Sequence, residues 1–243
     1  MIKTPILERL CEELKELYRQ LGELHKQLGK IPPGLDRKID SYVRTINKNK
    51  KLELTYHISR FCRSSLNLDL REISRANPQL KIDFNVFEKD EIVAGPYLIK
   101  KERYGQITAK ENLKDQSPFD YDSVVFVDGL PVIFHIMYGK CRKPNNDCPS
   151  RIEQVLLGIE EGRIIDPLVQ LFEKDVGLVF LLSRDSYNTL RGNDELPGSE
   201  IFAKFIESGG CALPLYATSD QIVKDIASGL TKRNILYKFQ TFV

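Results

Sequence analysis

The stretch Asp120-Tyr-Asp-Ser-Val-Val-Phe-Val-Asp-Gly-Leu-Pro-Val-Ile-Phe-His-Ile-Met-Tyr138 decides the fold class. Two apolar runs flank Asp128-Gly129, a dipeptide suited to the φ > 0 positions of a tight hairpin. The runs are apolar on both faces, which places them at the buried centre of a sheet. N-terminal to this hairpin, residues 82–87 alternate as a strand. Residues 92–99 and 104–109 read as further strands, separated by Lys100-Lys101-Glu102-Arg103. Beyond the hairpin, 150–173 reads as a helix with a break near Pro167, and 177–182 as a buried strand. A helix over 199–208 ends at Gly209-Gly210, and 211–217 forms the next strand. Ser219 or Asp220 caps a helix over 220–229, and 235–242 makes the last strand. The longest loop expected is 183–198. Hairpin strands followed by helix–strand repeats predict an α/β domain over 79–243, a mixed sheet with flanking helices.

The other strong pattern lies at the N-terminus. Leu7, Leu10, Leu14, Leu17, Leu21, Leu24 and Leu28 are spaced alternately three and four residues apart, the a/d register of a helical seam. Pro32-Pro33-Gly34 breaks that helix, so 1–31 is one segment. A stripe this long must bury itself on something. The alternatives are a coiled coil between copies of the chain, giving a homo-oligomer, and packing of the helix on the body of the same chain. Residues 32–78 form a second helical segment, with helices expected over 35–49 and 51–76. It is basic: Arg37 to Arg75 contains ten basic and four acidic residues.

The whole chain has 243 residues, 42% apolar and 29% charged, which excludes a disordered or low-complexity protein. Its net charge of +2 conceals the asymmetry, because 153–207 carries eleven acidic against five basic residues. Basic helices can neutralise phosphates, and Arg44, Lys48, Lys50, Lys51, Arg60 and Arg63 are the candidates here. Arg142 and Lys143, in a basic cluster after the hairpin, are two more. The alternatives are a solvated face or loop, or docking on the acidic half. No apolar run is long enough to cross a membrane, and residues 1–15 mix charges without the apolar region of a signal peptide. Five scattered cysteines suit a reducing compartment better than a disulfide framework, so a cytoplasmic location is expected.

There is no G-x-x-x-x-G-K loop, no G-x-G-x-x-G and no G-x-S-x-G. His135, Cys141 and Cys148 have no usual zinc spacing. Asp120 and Asp122, the hairpin strands and the basic cluster resemble the core of the PD-(D/E)XK nuclease superfamily over roughly residues 115–183. In that superfamily an Asp at a strand start and a Glu on the next strand hold Mg²⁺. A Lys two residues further on polarises phosphate or water. Two carboxylates suit so hard a cation, and the metal activates water for phosphodiester attack. The resemblance assigns Asp122 to the metal, Mg²⁺ or Mn²⁺, and places the catalytic positions at Asp122, His135 and Lys140. His135 stands in place of the Glu and Met137 in place of the Lys, with Lys140 near enough to substitute in space. Glu102, Glu111 or Glu153 can complete a metal site only through the fold.

These readings combine into an oligomeric, nucleic-acid-associated protein with a nuclease-like α/β domain, weakly active or inactive as a metal-dependent endonuclease. The alternative is an oligomeric scaffold for protein interactions with no nucleic-acid role.

Overall fold

The computed structural model describes residues 4–27, 51–102, 106–111, 119–137, 151–192 and 197–215. Among these residues are six helices and nine strands. Helix α1 is Pro5–Gln27 and α2 is Lys51–Ala76. Strands β1 (Ile82–Asp83), β2 (Glu91–Ala94), β3 (Tyr97–Lys101), β4 (Ile107–Glu111), β5 (Phe119–Tyr121), β6 (Ser123–Val127) and β7 (Leu130–Met137) follow. Then come α3 (Arg151–Glu160), α4 (Asp166–Phe172), β8 (Gly177–Leu182), α5 (Arg184–Gly192), α6 (Pro197–Glu207) and β9 (Cys211–Pro214).

The described residues build two sheets rather than the single one expected. The larger is mixed, in the order β1-β6-β7-β8-β9; the smaller is an antiparallel meander, β2-β3-β4-β5. β6 and β7 pair through the expected hairpin, with Asp128 at φ 49° and Gly129 at φ 81°. β7, β8 and β9 run parallel. Helices α1 and α2 cover one face of the larger sheet, where Val125, Val132, Phe134 and Leu181 meet Leu10, Leu14, Leu66 and Leu70. Helices α3 to α6 and the small sheet cover the other face, around Ile133, Phe180, Leu156 and Phe205. Burial on both faces explains why the central strands lack alternation.

The leucine stripe takes the intramolecular alternative. Leu7, Leu10, Leu14 and Leu21 are at most 3% exposed, inside the core that the sheet supplies. Leu17 packs at its margin; Leu24 lies within α1, and Leu28 is outside the described residues. The buried part of the seam is spent on the sheet, so it is not a free surface for a second chain. Close approach confirms the docking: a Cβ added at Gly177, at the start of β8, would lie 3.2 Å from Leu7 Cδ1.

Four other local expectations change. The strand over 92–99 is a hairpin that turns at Gly95, φ 55°, ahead of Pro96. The strand over 82–87 shrinks to β1, two residues long. The break in 150–173 falls at Gly162, φ 76°, and Pro167 sits in the first turn of α4, where proline costs no hydrogen bond. Most of the loop expected over 183–198 is α5, which buries Leu190 and Ser186. The expected elements at 35–49, 220–229 and 235–242 lie outside the described residues.

The cysteines also differ from expectation. Cys11 of α1 and Cys211 of β9 form a disulfide across a sequence separation of 200, with Cα atoms 6.8 Å apart. Docking α1 on β9 brings them together, which spacing alone does not reveal. Cys62 is buried and outside that bond. None of the described helices is long and apolar enough to cross a membrane.

Candidate functional site

Asp122 stands where one strand leaves one sheet for the other. Tyr121 pairs with Ile107 in the small sheet, whereas Ser123 pairs with Phe134 in the large one. Continued pairing of β6 would have placed Asp122 opposite His135 and Tyr121 opposite Ile136. The switch removes β6 from that end of β7 and leaves the Ile136 N–H to find an acceptor. Asp122 supplies it: its Oδ2 accepts the Ile136 N–H at 2.7 Å, while its own N–H donates to Phe134 O at 3.2 Å. A buried backbone donor without a partner is costly, so this carboxylate completes the ladder.

His135 shares its face of β7 with Ile133 and Met137, as the period-two reading requires. Its Nδ1 lies 3.5 Å from Asp122 Oδ2. The side chains are 5% and 12% exposed, so the pair is almost out of water. Phe119 and Phe180 flank the imidazole, with ring centroids 5.4 and 5.5 Å away. Nearby, the Tyr121 hydroxyl donates to Ile164 O at 2.7 Å, and burial pushes its pKa well above the ordinary phenol value. The fold therefore brings Asp122 and His135 together in a packed aromatic setting.

No family model matches the chain, and no curated protein or solved structure matches it. The metal implied by the nuclease resemblance does not fit the described residues. Asp122 Oδ2 already serves the Ile136 N–H, its neighbour on β7 is an imidazole, and Met137 has no charge to offer. Hard Mg²⁺ takes oxygen ligands and binds a nitrogen poorly. No group of three or more His, Cys, Asp or Glu able to hold a metal occurs among the described residues. Glu102 is exposed on the loop after β3, and Glu111 is half-buried at the end of β4.

The candidate phosphate contacts fare unevenly. Arg60 is exposed on α2, whereas Arg63 is only 4% exposed and is turned into the fold, away from any surface phosphate. Lys51 opens α2. Arg44, Lys48, Lys50, Lys140, Arg142 and Lys143 lie outside the described residues. A groove of about 900 Å³ runs between α1, α5, α6 and β9, over the disulfide, with Tyr187, Arg191, Phe202 and Ile206 among its walls. Neither Asp122 nor His135 lines it. Sequence reading missed this groove because its walls come from elements far apart in the chain.

Proposed function

We propose that this chain, built on a nuclease-like α/β body, binds nucleic acid and does not cleave it. The observation that carries the reading is the Asp122–His135 pair, where the resemblance implies two carboxylates. The order of elements supports the nuclease-like part. An antiparallel hairpin is followed by helices and then by β8, parallel to β7, with Asp122 at the strand start. The fate of that aspartate supports the loss of cleavage. Its oxygen holds the backbone of β7 and lies beside a buried imidazole, so it fills a structural role. The basic composition of 37–75 supports nucleic acid as the ligand.

Incubation of the protein with labelled duplex DNA, in Mg²⁺ and separately in Mn²⁺, tests the reading. Binding that weakens steeply with salt, without strand cleavage, is expected. Absence of binding at low salt overturns it. So does robust Mg²⁺-dependent cleavage that Asp122→Ala abolishes.

A further inference from the structure

We propose that the solvent face of α2 lies along the phosphate backbone of duplex DNA, with Arg60, Arg71 and Arg75 as its contacts; this rests on the nucleic-acid reading above. Helical geometry puts these three residues, with Ser64, on one face, since each residue advances about 100°. All four are exposed. The opposite face carries Leu66, Leu70 and Ile73, each at most 4% exposed in the core against the sheet. The arginines therefore stand on a docked, rigid rod. From Arg60 to Arg75 the row is about 22 Å long at roughly 1.5 Å per residue.

From Arg60 to Arg75 the row is single-signed, whereas position 53, two turns earlier in α2 and at the same angle about its axis, is a glutamate, so the proposed contact begins at Arg60. Of the two acids in the same stretch, Asp69 is 1% exposed on the core side, and Glu72 is half-buried about a quarter turn away. The exposed face of α1, by contrast, alternates Glu16, Arg19 and Glu23 in ion pairs. Arg71 is held in place, its guanidinium 4.4 Å from the centroid of the Phe84 ring. Ser64 and Asn67 lie between the arginines and add neutral hydrogen-bonding groups. Asn67 Oδ1 also accepts from Ser123 Oγ at 3.3 Å, so the row passes the end of β6 next to Asp122. A duplex carries one phosphate charge per roughly 1.7 Å of its axis, counted over both strands, so three guanidinium groups spread along the rod meet a dense array of phosphates.

Fluorescence anisotropy of a labelled duplex across a salt series tests this. Each phosphate contact contributes about 0.9 to the log–log slope. Arg60→Gln with Arg75→Gln leaves the Arg71–Phe84 contact intact and is expected to flatten the slope by about 1.8. Adding Arg71→Gln brings the change to about 2.7. Unchanged far-ultraviolet dichroism and melting of the double variant establish that its fold survives. Wild-type binding with an unchanged slope in both variants overturns the α2 assignment and leaves the nucleic-acid reading standing. Absence of wild-type binding overturns both. Equal losses on duplex and on phosphatidylserine vesicles would mark a general anion surface and overturn the duplex assignment.

Discussion

Replacing Asp122 by Ala removes the acceptor of the Ile136 N–H at a site almost out of water. Leaving such a donor unsatisfied costs about 1–3 kcal/mol, so the urea midpoint of Asp122→Ala should fall without any metal present. Asp122→Asn keeps an acceptor oxygen and should lose less. Equal stability of wild type and Asp122→Ala would show that the carboxylate has no structural role. The sequence makes Asp122 and His135 visible as a pair, because a hairpin register and a period of two fix which residues face each other. Their environment was not legible in the same way. Phe119 approaches His135 through the sheet switch, and Phe180 through a parallel crossover about forty residues later. Arg63 shows the same limit: a charged residue in a basic segment reads as surface, yet its position on α2 turns it inward.

Helix α1 shows how an element is recognised before its partner. Seven leucines in register specify a helix with one apolar face, and both a second chain and the body can satisfy that face. The sheet does so, because the outward positions of its central strands are also apolar. Leu14→Ala should therefore cost about 2–5 kcal/mol of global stability, as for other buried leucines. Leu14→Lys should unfold the body. A smaller but still folded species in light scattering, the outcome for a coiled coil, would contradict the intramolecular docking. The exposed face of α1 has its own pH signature. Arg19 donates two hydrogen bonds to Glu16, at 2.7 and 2.8 Å, and Gln20 a third at 2.9 Å, and together these lower the Glu16 pKa from the ordinary 4.5 to about 2. A lowered pKa in the folded state means that the contribution is present above pH 4.5 and is lost as pH falls towards about 2. The acid limb of amide-exchange protection in α1 should flatten in Glu16→Gln; an identical limb would show that the pair does not stabilise the helix. Exposure keeps the effect small.

At the scale of the molecule, the α/β class and the hairpin at its centre were readable, because local turn chemistry and long apolar runs specify them. The second sheet, the α1–β9 disulfide and the groove above it depend on contacts between distant elements, which no local pattern encodes. The disulfide closes a loop of about 200 residues, for which chain entropy gives up to about 5 kcal/mol. Reduction by a dithiol should lower the melting temperature, while the buried leucines keep α1 docked. Identical melting of oxidised and reduced protein would show that the disulfide adds nothing to stability. The proposed function is a nuclease-like body that holds nucleic acid and leaves it intact. Labelled duplex DNA incubated with the intact protein in Mg²⁺, followed for binding and for strand length in the same tube, tests it most directly. Salt-sensitive binding with full-length strands recovered is expected, and Mg²⁺-dependent cleavage that disappears in Asp122→Ala would overturn the proposal.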